Sequence, residues 1–127
     1  MEMKLELVPL PVSDVDRSKD FYVDVMGFTL DHDVQPGNGM RIVQLTPPGS
    51  ACSIAFGTGM GNQPEEGTVN GLHLVVADIA AARDELVARG AEVSGVQDMG
   101  GVKYAYLGDP DGNSWALQHL PGSSEGS

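Results

Sequence analysis

The chain contains one pattern twice. "LPVSDVDRSKDFYVDVMGF" (10–28) resembles "LVVADIAAARDELVARGAEV" (74–93). At an offset of 64 positions, Leu10 matches Leu74, Val12 matches Val76, Asp14 matches Asp78, Asp20 matches Asp84 and Val23 matches Val87. The closing glycines, Gly27 and Gly90, stand one residue out of step. Farther on, "PPGSACSIAF" (47–56) aligns loosely with "PDGNSWALQH" (110–119) at an offset of 63. A repeat of this length makes each copy a supersecondary unit and limits the folds open to the chain.

Each copy reads the same way. An apolar strand opens it, about 4–12 and 71–77. An aspartate then stands where a helix needs a cap, Asp14 or Asp16 in the first copy and Asp78 in the second. The helices follow, and Gly27 and Gly90 stop them. Three strands come next: "FTLDHDV", "RIVQLT" and "CSIAF" in one copy, "AEVSGV" (91–96), "KYAYL" and "SWALQH" in the other. The turn formers "QPGNG", "TPPGS", "DMGG" and "GDPDG" separate them. The fold class is therefore α+β, with two tandem βαβββ units. One helix covers only one face of a four-stranded sheet, so the other face must meet a partner or enclose something. The expectation is a pair of curved mixed sheets around a trough, with the helices outside. A single domain of residues 1–120 is predicted: unit one about 4–57, a Gly-rich linker 58–70 and unit two about 71–120. The tail 121–127 reads as disordered.

Composition narrows the partners. Seven Lys and Arg against 18 Asp and Glu leave a formal charge of −11. Such a surface repels nucleic-acid backbones and anionic membranes and suits a neutral or cationic ligand. The single cysteine, Cys52, excludes an intramolecular disulfide and a thiol metal cluster. The start "MEMKLELVPL" is too short and acidic for a signal peptide, so a cytoplasmic protein is expected.

These motifs in this order, with "YLGDPDGNSWALQ" closing the second copy, resemble the vicinal-oxygen-chelate superfamily of glyoxalases, bleomycin-resistance proteins and extradiol dioxygenases. The resemblance implies that metal-using members take His or Glu ligands from the first and last strands of each unit. Those slots lie five residues before the Val of V-x-D and four after the turn Gly. Here they hold Leu7 and Gly71, then Ala116, with Ser53 or Ala55 in the first unit. A metal needs about three protein donors, and these slots offer at most one. No metal and no cofactor is expected.

The inward-facing set is then Leu7, Pro9, Ser53, Ala55, Gly71, His73, Tyr104, Tyr106, Ala116 and Gln118. Residues two apart on a strand share a face, which joins Gly71 to His73 and Ala116 to Gln118. The small Ala116 is expected to leave open space above it. His73 is a candidate general base or ligand hydrogen-bond partner; the alternative is a histidine satisfied by its neighbours. Tyr104 and Tyr106 read as stacking surfaces or as core. Trp115 is placed under a helix, and His119 points away from the trough, toward the helix layer or solvent. His32 reads as a solvated charge partner. Arg41 is a possible carboxylate partner or a plain surface arginine, and Met40 and Phe56 possible trough borders. Loop 57–70, with Met60, is a possible lid.

Three functions compete. The leading one is a metal-free small-molecule binding protein, sequestering its ligand as bleomycin-resistance proteins do. The second is a metal-independent isomerase or lyase using His73 or a tyrosine for proton transfer. The third, a metal-dependent lyase or dioxygenase, lacks its ligands. A homodimer is expected, because the unpaired sheet edges invite pairing.

Overall fold

Asp14 begins the first helix as the repeat requires. Its carboxylate accepts from the Arg17 backbone N–H at 3.1 Å, and Asp78 accepts from Ala81 N–H at 3.0 Å in the second copy. A computed structural model of the chain describes residues 1–59 and 67–120. The elements are β1 (Leu7–Pro9), α1 (Val15–Asp20) continuing into a π-helical turn (Phe21–Val25), β2 (Thr29–Gly37), β3 (Met40–Thr46) and β4 (Ser53–Thr58), then β5 (Leu72–Val75), α2 (Ile79–Ala88), β6 (Gln97–Met99), β7 (Val102–Gly108) and β8 (Ser114–His119). The βαβββ order thus occurs twice. Two compact units divide the chain, Met1–Thr68 and Val69–Ser127.

Each unit carries an open four-stranded mixed sheet, ordered β1-β4-β3-β2 and β5-β8-β7-β6. The first and last strands of each unit pair in parallel, Leu7 with Ser53 and Leu72 with Trp115. The remaining pairs are antiparallel.

The π turn accounts for the misaligned glycines. Met26 N–H donates to Phe21 C=O and Phe28 N–H to Tyr22 C=O, at 3.0 and 2.9 Å. Asp14 to Gly27 is one residue longer than Asp78 to Gly90. A π turn absorbs one extra residue without ending the helix. Gly27 and Gly90 both sit at positive φ, 74° and 102°, where glycine is unstrained.

Two strand predictions need correction. The first strand spans Leu7–Pro9 rather than 4–12. Pro9 and Pro11 lack the N–H groups a longer ladder would use. The strand expected at 91–96 lies at Gln97–Met99. Residues 91–96 form instead a strap, because Arg83 occupies its carbonyls: Nε donates to Ser94 C=O at 2.6 Å and a terminal nitrogen to Val93 C=O at 3.1 Å. Ser94 alone bridges to Tyr106 there, with Ser94 N–H on Tyr106 C=O and Tyr106 N–H on Ser94 Oγ, both 2.9 Å. The expected linker starts late, since β4 runs through Thr58. Met60 and most of that loop, and the tail 121–127, lie outside the described residues.

Between helix and sheet, the first unit buries Tyr22, Phe28, Val43, Leu45, Ile54 and Phe56. The second buries Ile79, Leu86, Ala105, Leu107, Trp115 and Leu117, with α2 packed on β7 and β8.

Candidate functional site

The turn before β8 is held by its own side chains. Asp109 Oδ1 accepts from the Asp111 and Asn113 backbone N–H groups, both at 2.9 Å. Its other oxygen accepts from Asn113 Nδ2 at 2.8 Å. Asn113 is fully buried, and its side-chain Oδ1 accepts from Val69 N–H at 2.9 Å. The chain entering β5 is thereby tied to the start of β8. Ser114 continues the link: its Oγ accepts from Gly71 N–H at 2.8 Å and faces Asn70 Oδ1 at 3.3 Å.

Register decides which side chains share the face without a helix. His73 pairs with Ala116, and Ala116 with Tyr106. Val75 pairs with Gln118, Gln118 with Tyr104, and Tyr104 with Gln97. Directly paired residues lie on one face, so His73, Val75, Ala116, Gln118, Tyr104, Tyr106 and Gln97 stand together. Trp115 pairs with Leu72 and Leu107 and faces the helix side. His119 shares its parity, and its Nδ1 lies 3.1 Å from Ala77 C=O.

This open face is aromatic and partly exposed. Tyr104 and Tyr106 are nearly parallel, 10° apart with centroids at 6.1 Å. His73 stands edge-on to Tyr104 at 6.0 Å. Gln118 Nε2 approaches Tyr104 Oη at 3.4 Å. Tyr106 is 43% exposed and Val75 59%. Ala116 departs from expectation: it is 1% exposed. It is a covered floor flanked by His73 and Tyr106, not the base of an empty space. Its methyl group is short, and the larger side chains on either side rise past it.

In the first unit, Leu7 and Pro9 pair with Ser53 and Ala55, and Ala55 with Gln44. Leu7 and Pro9 are exposed, whereas Ser53 and Ala55 are buried. The Thr46 hydroxyl donates to Asp31, so Ser53 is the donor in its 2.7 Å contact with Thr46. His32 is exposed opposite Gln44. Phe56 faces the helix side and is buried, not a border of the open face.

Arg41 is committed elsewhere. On the helix side it grips Asp33 with Nε and a terminal nitrogen, at 3.0 and 2.9 Å, and reaches Asp16 at 2.8 Å. Lys19 adds a 2.7 Å contact to Asp33. The Arg41 and Lys19 hydrogen bonds hold the Asp33 carboxyl well below the usual carboxylate range. With its charge thus paired, Arg41 serves as a clamp between hairpin and helix. With Met40 it also lines a shallow cavity of about 320 Å³ at the β2–β3 hairpin tip.

The donor set does not fit a divalent metal. Leu7, Gly71 and Ala116 have no ligating side-chain atom, and Ser53 contributes one neutral hydroxyl already bonded to Thr46. Among the described residues no three His, Cys, Asp or Glu side chains cluster. Val75 and Gln97 were missed by the sequence reading as members of the aromatic face. Val75 was legible from its two-residue spacing from His73; Gln97 was not, because its strand was placed elsewhere.

The profile of the Glyoxalase/Bleomycin resistance protein/Dioxygenase superfamily matches residues 4–117. The chain belongs to this superfamily. Among solved structures, TnmS3, an antibiotic binding protein from Streptomyces sp. CB03234, is 34% identical, with a TM-score of 0.81 over 94% of this chain and 97% of that one. A glyoxalase/bleomycin resistance protein from the same strain is 36% identical, with a TM-score of 0.76 over 90% and 98%. A superfamily member from Sphaerobacter thermophilus DSM 20745 is 27% identical, with a TM-score of 0.76 over 93% and 98%. Among curated proteins none is significantly similar to the chain. No helix of the described residues is long and apolar enough to cross a membrane.

Proposed function

We propose that this superfamily member is a metal-free binding protein that sequesters a neutral or cationic, antibiotic-like organic molecule. The observation that carries this reading is the aromatic open face of the second sheet. Exposed aromatic rings are costly to leave in water and supply a flat contact for an apolar ring system. Gly71, His73, Tyr104, Tyr106, Ala116 and Gln118 form the binding surface on that sheet; Leu7, Pro9, Ser53 and Ala55 are the equivalent surface on the first. The formal charge of −11 favours a neutral or cationic ligand. The likeness to TnmS3, described as an antibiotic binding protein, supports the class of ligand. Cytoplasmic location and a homodimer joined through free sheet edges belong to the same proposal. Sedimentation as a monomer at micromolar concentration would remove the dimer.

A titration with a panel of planar aromatic antibiotics, in chelator and with added Zn, Ni, Mn or Fe, tests the reading. Stabilisation is expected to follow ligand concentration relative to Kd and to ignore the metal. Ala116→Trp should abolish binding while costing about 1–3 kcal/mol of stability, since the floor is already covered. Binding that appears only with metal would overturn the proposal. The alternative, metal-independent proton transfer, draws support from His73: its Nδ1 lies 2.6 Å from Gly71 C=O, leaving Nε2 as a base. Ligand recovered unchanged after incubation favours sequestration; conversion abolished by His73→Phe favours the enzyme.

A further inference from the structure

His73 has a defined hydrogen-bonding sense. A carbonyl oxygen only accepts, so the 2.6 Å contact to Gly71 C=O places the proton of the neutral ring on Nδ1. Nε2 is then the lone-pair acceptor of an exposed histidine. The geometry behind this is built in. Gly71 has φ of 78°, a conformation other residues rarely adopt. Its N–H is fastened to Ser114 Oγ at 2.8 Å, so the residue whose carbonyl holds His73 is itself tied to β8. A second acceptor lies on the same face. Gln118 turns its Nε2 toward Tyr104 Oη at 3.4 Å, which leaves its Oε1 free of that contact.

We propose that His73 Nε2, with Gln118 Oε1 on the same face, reads hydroxyl or amino donors on the rim of an aromatic ligand lying against Tyr104 and Tyr106. The preferred ligand class is a hydroxylated or amino-substituted aromatic rather than its alkylated ether. The inference rests on the binding reading above and adds the polarity of recognition to it. An ether oxygen brought to Nε2 would set two acceptors against each other, whereas a phenolic hydroxyl completes a hydrogen bond. A site built to hydrogen-bond a ligand hydroxyl rejects the analogue lacking it, because its own polar group is left unpaired.

The test compares 2-naphthol with 2-methoxynaphthalene, two probes of the same ring system, against the full chain. The native protein is expected to bind 2-naphthol about 3- to 10-fold more tightly, the range of one neutral hydrogen bond. His73→Phe keeps an aromatic edge against Tyr104 and loses the acceptor. It should bring the two affinities together by weakening 2-naphthol alone. Long-range nitrogen–proton spectra of histidine-labelled native protein give an independent readout, with the His73 signals assigned by their loss in that variant. They should show the neutral ring carrying its proton on Nδ1, with Nε2 bare. Equal affinities in the native protein, discrimination that survives in His73→Phe, or a neutral ring protonated on Nε2 would overturn the inference and leave the binding reading standing. Failure of both probes to bind would overturn the two together.

Discussion

The two units put their phenylalanines and tyrosines on opposite sides of equivalent sheets. In the first, Tyr22, Phe28 and Phe56 meet between helix and sheet, with centroids 5.5 and 5.8 Å from the tyrosine, and Phe21 stands edge-on at 5.1 Å. In the second, that layer is aliphatic around Trp115, while Tyr104 and Tyr106 turn to the open face. The same topology therefore supports two uses of one residue type. Buried rings in the first unit contribute to stability through apolar area and close packing. Half-exposed rings in the second contribute little to stability and remain available to a ligand.

Exchanging rings for alanine should break this contrast most sharply. Tyr22→Ala, in a site with no exposure, is expected to cost about 3–5 kcal/mol in denaturant unfolding. Tyr106→Ala should cost under about 1 kcal/mol, as exposed positions do, and lose aromatic ligands. Comparable destabilisation by both would mean that the open face is core.

The units also fasten their helices differently. The first uses the Asp33 cluster, the second the bonds from Arg83 to the strap. The Asp33 carboxyl is held below its ordinary value, so its contribution is full above the unfolded carboxylate range. It is lost as pH falls from about 4 toward the lower folded value. Asp33→Asn should cost about 1–2 kcal/mol at neutral pH, less than a fully buried pair because solvent reaches the cluster. It should also flatten the acid limb of the stability profile. An unchanged acid limb would remove Asp33 from that role.

The smallest effect concerns one hydroxyl. Ser18 is fully buried, and its Oγ has no hydrogen-bond partner among the described residues. The repeat places Ala82 at the matching position of the second helix. Ser18→Ala thus imports the other unit's solution and should raise stability by up to about 1 kcal/mol, the cost of an unsatisfied buried hydroxyl. A loss of stability would mean that the hydroxyl has a partner.

The repeat alone determined the doubled βαβββ order, the capping aspartates and the faces of β5, β7 and β8. Each is a local property: caps depend on one side chain, and strand faces on a period of two. The absence of metal donors at Leu7, Gly71 and Ala116 was equally legible, since no conformation gives those side chains a ligating atom. The extra residue between Asp14 and Gly27 was visible as a misalignment, but only backbone hydrogen bonding showed it as a π turn. The strand at 91–96 failed for a related reason. Its composition suits a strand, yet Arg83, on the preceding helix, takes the carbonyls at Val93 and Ser94. Arg41 and Ala116 were likewise settled by neighbours from other elements: Asp33 and Asp16 engage the arginine, and His73 and Tyr106 flank the alanine. Periodicity states which way a side chain points. Which competing group reaches a donor, or covers a methyl, depends on residues brought together by the tertiary structure.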